Sequence, residues 1–219
     1  SGAYFKRGRV KQKIGNYQSA IADYTKGLRI DPNNAKVYNN RGTAKAALGD
    51  YQGAMVDYIM GLSIDPQDPF LHNNLGTAEY LSGNYKRAIA NYKRAIKINP
   101  KYVNPFYNIG NARNALKDYQ GAITFYDKAL AIDPQDVRIY TNRGRSRFNL
   151  GDNKGAIDDY NKSLQIYPNY TLAYSNRGMA KEELGDDIGA CKDYKKASSL
   201  GDQSTAQWLN SEEGAWCRN

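Results

Sequence analysis

A period of 34 residues runs through this chain. Pro32, Pro66, Pro100, Pro134 and Pro168 stand at that interval. So do Tyr24, Tyr58, Tyr92, Tyr126, Tyr160 and Tyr194, and Gly8, Gly42, Gly76, Gly110, Gly144 and Gly178. A fixed period of this length marks a stack of supersecondary units, each of which covers its apolar face only by packing on its neighbours. The 219 residues are therefore expected to form one array of six units: 1–34, 35–68, 69–102, 103–136, 137–170 and 171–202. A closing helix is expected over 203–213 and a frayed tail over 214–219. Positions below are counted within a unit, with Ala35 at position 1 of repeat 2.

Each unit reads as helix A, turn, helix B, turn. In repeat 2 the two helices are expected over 35–48 and 51–64. Gly15, Gly49, Gly83, Gly151 and Gly185 follow helix A, where the chain needs a left-handed residue; repeat 4 has Lys117 there. Asn16, Asp50, Asn84, Asp118, Asp152 and Asp186 come next, and all are good N-caps for helix B. The proline at position 32 then stops helix B, because it disfavours helical geometry in the residue before it and donates no backbone bond. Gly42, Ala54 and Gly61 mark close helix contacts, and the tyrosines are expected to keep their hydroxyls at a surface. At the end of the array, Ser204-Thr205-Ala206-Gln207 reads as a capping box for the closing helix.

These residues resemble the tetratricopeptide repeat family, which favours Trp/Tyr, Leu, Gly, Tyr, Ala, Phe/Tyr, Ala and Pro at positions 4, 7, 8, 11, 20, 24, 27 and 32. Repeat 2 supplies Tyr38, Arg41, Gly42, Lys45, Ala54, Tyr58, Gly61 and Pro66. It departs at positions 7 and 11, where most units of this chain carry cations. The match covers residues 1 to about 202. The resemblance implies an all-α fold: a right-handed superhelical solenoid of antiparallel helix-turn-helix repeats. It also implies protein–protein binding in a concave groove lined by the A helices. The family's clamp for a C-terminal carboxylate needs a set of Lys, Asn and Arg that no three consecutive units supply, so that mode is disfavoured.

Composition narrows the chemistry. The chain has one histidine and two cysteines, which excludes a disulfide framework and disfavours a transition-metal site. His72 falls at position 4, where the other units have aromatics, and reads as an aromatic substitute. Cys191 reads as a small inert core residue and Cys217 as a free thiol. Phosphate-binding glycine motifs are lacking, so no cofactor, no metal and no catalytic residue is expected. No run of about 18 apolar residues is present; a soluble, cytoplasmic protein is expected. The net charge of +9 favours an acidic partner, though exposed cations such as Lys86, Arg87, Lys93, Arg94 and Lys97 are ordinarily solvated. Nucleic acid is disfavoured, because the charges form no continuous stripe.

Two sets of residues carry the functional reading. Arg7, Arg41, Arg143 and Arg177 occupy position 7 in the four repeats that have Asp23, Asp57, Asp159 and Asp193 at position 23. Repeats 3 and 4 lack both. Ion pairs inside a repeat are expected, joined by Lys11, Lys45, Arg147 and Lys181. The second set lies on the side of helix A that faces away from helix B. It comprises Lys36, Asn40, Phe70, Asn73, Asn74, Tyr80, Tyr107, Asn108, Asn111, Arg138, Asn142, Arg145 and Phe148. Asparagine recurs at position 6, and an amide offers a peptide backbone both a donor and an acceptor; it can equally serve local structure. Aromatics and arginines are what binding hot spots use. The expected function is a non-catalytic scaffold that holds an extended partner segment, acidic and with apolar anchors. The alternatives are the recognition arm of a larger glycosyl- or sulfotransferase, and a basic nucleic-acid-binding repeat.

Overall fold

The computed structural model describes residues 1–217. Among them are thirteen α-helices and no strands. The A helices are α1 (Gly2–Lys13), α3 (Ala35–Ala47), α5 (Pro69–Leu81), α7 (Val103–Ala115), α9 (Val137–Asn149) and α11 (Thr171–Glu182). The B helices are α2 (Tyr17–Ile30), α4 (Tyr51–Ile64), α6 (Tyr85–Ile98), α8 (Tyr119–Ile132), α10 (Asn153–Ile166) and α12 (Asp187–Ser199). A short α13 (Gln203–Asn210) and a 3-10 turn at Ala215–Cys217 end the described chain. The helices gather into two compact units, Ser1–Ala112 and Arg113–Asn219.

Local chemistry explains the punctuation. Gly49 sits at φ 82° and Lys117 at φ 60°, the left-handed geometry that ends an A helix, which costs a non-glycine residue roughly 1 kcal/mol. Asp50, Asp118, Asp152 and Asp186 each accept the backbone N–H of the glycine three residues on, and Asn16 accepts that of Ser19. Asn84 departs from the pattern. Its amide donates instead to the buried Glu79 at 2.8 Å, so α6 starts without a side-chain cap. Asp68 caps α5 ahead of Pro69, whose ring is tolerated at the first helical position.

In the first unit, Ala20, Tyr24 and Leu28 of α2 pack with Val37, Tyr38 and Ala44 of α3. One repeat on, Ala54, Met55 and Tyr58 pack with Leu71, Leu75 and Ala78. Each core thus joins the B helix of one repeat to the A helix of the next. The glycine at position 8 has a defined reason. A Cβ on Gly42 would stand 2.7 Å from the Tyr58 ring, and one on Gly8, Gly76, Gly144 or Gly178 would meet its own tyrosine at 2.5–2.7 Å. One edge of the ring lies against bare backbone, and that contact offsets the helix cost of glycine, about 1 kcal/mol.

These tyrosines correct one expectation. Tyr24, Tyr58, Tyr92 and Tyr160 are almost wholly buried, so the ring tip reaches a side chain rather than open water. Tyr24 donates to Gln12, Tyr58 to Thr43, Tyr92 to Thr77 and Tyr194 to Glu182, at 2.7, 3.4, 3.3 and 2.6 Å. The acceptors stand at positions 9 and 12, on the outward side of helix A. Burial pushes the Tyr24 phenol up to about 12.

The C-terminal segment differs most from expectation. Asp202, not Ser204, caps α13: its Oδ1 accepts from the backbone of Ser204 and Thr205. Cys191 and Cys217 are neither inert nor free but joined in a disulfide, with Cα atoms 5.3 Å apart. The segment to Cys217 is accordingly fastened, not frayed. Trp208 packs edge-on against Tyr194 and against Trp216, with ring centroids 4.8 and 6.0 Å away. The remainder of the expected tail, 218–219, lies outside the described residues.

Candidate functional site

The cations divide into two populations, and the division defines the site. The first population is structural. Asp23, Asp57, Asp159 and Asp193 are nearly inaccessible. A carboxylate buried in that way needs a partner charge and full hydrogen bonding. Arg7, Arg41, Arg143 and Arg177 supply both in a two-pronged grip, with the closest contacts at 2.6, 2.6, 2.5 and 2.6 Å. Lys11, Lys45, Arg147 and Lys181 add a second cation at 2.8–3.0 Å. Arg7 and Lys11 hold the Asp23 carboxyl well below the usual carboxylate range.

The same arginines have a further reach that the spacing did not disclose. Arg41 Nη1 donates to Thr25, Arg143 Nη1 to Asp127, and Arg177 Nη1 to Asn161, at 3.1, 2.5 and 2.6 Å. All three acceptors occupy position 25 of the preceding repeat. Each guanidinium therefore fastens its own A and B helices and the preceding B helix as well. It also lies over the tyrosine at position 4, with Arg41 5.5 Å from the Tyr38 ring centre.

The second population stays outward. Arg9, Lys13 and Lys36 are exposed or half-exposed on α1 and α3. Arg9 and Lys13 line a cavity of about 380 Å³ with Gln12, Tyr17, Asn40 and Thr43. Arg9 also lies 5.8 Å over the Phe5 ring. This cluster contains no carboxylate.

Two of the asparagines expected to form a ladder are bonded to the repeat before them. Asn74 donates to Asn39 at 2.8 Å and Asn108 donates to Asn73 at 3.0 Å, so position 6 of one repeat holds position 5 of the repeat before. Asn73 is buried and donates to Asn74 at 3.4 Å. One N–H of Asn74 and one of Asn108 are thus engaged within the protein. Asn40, Tyr107, Asn108 and Asn111 lie half-buried on the same side of their helices.

Other residues of the expected set stand apart from it. Phe70 is exposed and packs on Tyr102, 5.1 Å between ring centres, at the junction of repeats 3 and 4. Tyr80 packs on Tyr85 across the A–B turn at 5.3 Å. In the second unit, the Arg138 guanidinium grips Asp136, its own helix cap, at 2.6 Å. Phe148 packs on Ala156, Tyr160 and Ala180, so it belongs to the core. Asn142 is half-buried and Arg145 exposed.

His72 imitates a tyrosine. Its Nε2 lies 3.0 Å from the Pro66 carbonyl. Tyr174, at the same position, donates its hydroxyl to the Pro168 carbonyl at 3.1 Å. A carbonyl only accepts, so His72 carries its proton on Nε2. Among the described residues no group of three His, Cys, Asp or Glu could hold a metal ion, and no helix is long and apolar enough to cross a membrane.

Comparison with known proteins agrees with this geometry. A family model described as TPR repeat matches residues 3–49, 76–116 and 110–151. Two described as tetratricopeptide repeat match 137–170 and 35–68. No curated protein matches the chain. Among solved structures, PilF of Pseudomonas aeruginosa superposes with a TM-score of 0.81 at 18% identity, covering 96% of each chain. MamA superposes at 0.67 with 25% identity, covering 75% of this chain and 90% of that one. YrrB, described as a TPR protein with an unusual peptide-binding site, superposes at 0.66 with 18% identity, covering 85% and 97%.

Proposed function

Because this chain belongs to the tetratricopeptide repeat family, we propose that it is a non-catalytic scaffold that holds an extended segment of a partner protein on the outward faces of its A helices. The observation that carries this reading is the division of the cations. Those at positions 7 and 11 of repeats 1 and 2 neutralise buried carboxylates, whereas Arg9, Lys13 and Lys36 lie in no described ion pair and face solvent beside Asn40. Cations left on a surface that folding does not require favour an acidic segment and speed its arrival. Tyr107 is the aromatic placed to bury an apolar anchor. Asn108 can meet its backbone with the acceptor and the second N–H that its bond to Asn73 leaves over, and Asn40 with its amide. The Cys191–Cys217 bond supports an oxidising compartment over the cytoplasm.

Peptides selected from a displayed library against the intact protein provide the test. Arg9→Glu with Lys13→Glu, and separately Tyr107→Ala, are each expected to weaken the selected peptides by at least tenfold, while Lys93→Glu with Arg94→Glu on the opposite helix leaves affinity unchanged. The reverse pattern would mean that partners use the B-helix face.

A further inference from the structure

The second unit contains a cavity of opposite character to the one around Arg9 and Lys13. It measures about 490 Å³ and lies between α11 and α13. Leu172, Met179 and Trp208 form its apolar walls, and Asn176, Glu182 and Asp202 its polar ones. No Lys, Arg or His lines it, in a chain whose net charge is +9. Leu172, Asn176, Met179 and Glu182 stand at positions 2, 6, 9 and 12, the same outward side of helix A that carries the cations of the first unit.

The negative charge here is fixed. Asp202 Oδ2 accepts from the hydroxyls of Ser175 and Thr205, at 2.5 and 2.8 Å. Its Oδ1 accepts from the backbone and hydroxyl of Ser204 and the backbone of Thr205. These bonds hold its carboxyl well below the usual range against the opposing effect of burial, so it stays ionised. They also saturate it, which leaves Glu182 as the carboxylate able to take a ligand. Tyr194 donates to Glu182 Oε2 at 2.6 Å. That bond aims the group and uses only one of about four lone-pair sites on a carboxylate.

The apolar wall is fixed too. Trp208 is held against Tyr194 and Trp216, and the residue after Trp216 is bonded to Cys191 on α12. A rigid aromatic face beside an oriented carboxylate suits a planar cation on an aliphatic stem. The stem packs on Leu172 and Met179, both of which are substantially exposed. Its head stacks on the indole and pairs with Glu182. Arginine fits better than lysine, because its guanidinium is planar, stacks on aromatic rings and meets a carboxylate with two parallel bonds.

We propose that this cavity is a subsite for an arginine side chain of the bound segment. The proposal rests on the reading that the outward A-helix faces are the binding surface, and it adds a preference for arginine at the second unit.

The test uses blocked tripeptides, Ala-Arg-Ala and Ala-citrulline-Ala, against the intact oxidised protein. Citrulline keeps the shape and removes the charge. Trp208 and Trp216 are the two tryptophans of the chain, so Trp216→Phe leaves the Trp208 indole N–H as a single resolved NMR signal. The arginine peptide is expected to shift that signal saturably and the citrulline peptide to do so at least tenfold more weakly. Glu182→Gln is expected to lower the arginine affinity roughly tenfold, the loss of one charged hydrogen-bonded pair. Met179→Lys, a change at an exposed position, places a cation of the protein's own in the cavity and is expected to abolish the shift with the fold intact by circular dichroism. Equal responses to arginine and citrulline, or none to either, would overturn the subsite. A subsite that fails while library peptides still respond to the Arg9 and Lys13 reversals falls alone. A subsite that holds while those reversals do nothing stands, and the proposed groove at the first unit falls instead.

Discussion

Repeats 1, 2, 5 and 6 and repeats 3 and 4 solve one packing problem in two ways. The first four place an aspartate at position 23 behind the surface and satisfy it with an arginine and a second cation. Repeat 3 places Leu75 and Asn91 at the same positions, and both are buried. Asn91 donates to the Arg87 carbonyl of its own helix at 3.2 Å, so it asks nothing of α5. Position 11 changes with them: in place of a cation it holds Glu79, which pairs with Asn84 across the turn. In repeat 4 the position is taken by Arg113, which grips Asp118 and lies 5.2 Å over the Phe125 ring. The lesson is an asymmetry. A buried ion pair contributes little more than a well-packed apolar pair, yet losing one partner is far costlier than losing a leucine contact. The four ionic repeats are therefore intolerant of single changes and tolerant of a paired one.

The largest expected effect tests that asymmetry. Arg41→Ala leaves Asp57, which is 1% exposed, with Lys45 alone and is expected to cost about 3 kcal/mol by denaturant unfolding. Arg41→Leu with Asp57→Asn copies repeat 3 and is expected to cost less than about 1 kcal/mol. Equal losses for the two would show that the arginine acts through its links to Thr25 and Tyr38 instead. Next comes a fastening that owes nothing to the repeat pattern. Cys217→Ser opens a loop between residues 26 apart in sequence. It is expected to lower the stability of the last hairpin by about 3 kcal/mol, seen as lost hydrogen-exchange protection in α13 with the first unit unaffected.

A smaller effect serves as the control. Gly42→Ala and Gly76→Ala both drive a methyl against a tyrosine ring at 2.7 Å, the first in an ionic repeat and the second in an apolar one. Each is expected to destabilise by about 1–2 kcal/mol, to a similar extent, because overpacking outweighs the gain in helix propensity. A large difference between them would mean that the ion triads stiffen the ring contact. The smallest effect is in acid. The folded carboxyls of Asp23 and Asp202 are lowered, so their stabilisation is present above about pH 4, the unfolded value, and is lost as pH falls below it. The double change Arg7→Leu with Asp23→Asn should flatten the fall in melting temperature between about pH 4 and 2.

The helices, turns and ion pairs are legible because each is written several times. Arg–Asp correlation across six units identifies a contact that no single unit could reveal. The interhelical reach of Arg41 to Thr25 was not legible, since position 25 holds Thr25, Asp127 and Asn161 and shows no fixed residue type. The asparagine ladder was read from one helix at a time, so its bonds between repeats, offset by one position, went unseen. Helical phase alone puts Phe148 and Arg138 on a binding face. Phase cannot register a neighbouring core or an adjacent helix cap. The disulfide joins Cys191, inside repeat 6, to Cys217 beyond the last repeat; no other repeat has a cysteine to correlate with, and two cysteines in a chain of this length suggest nothing by themselves.

The Cys191–Cys217 bridge also decides how the chain carries load. Tension applied beyond residue 217 crosses from Cys217 to Cys191 and continues back along α12. Residues 192–216, with α13 and both tryptophans, lie off that path and bear none of it. Stretching the oxidised protein from its C-terminus therefore peels α12 with the terminal loop still closed. Reduction would release contour on the order of 90 Å at the backbone's extended rise per residue. The bridge makes Cys217 a fixed handle: what pulls on it pulls on a repeat.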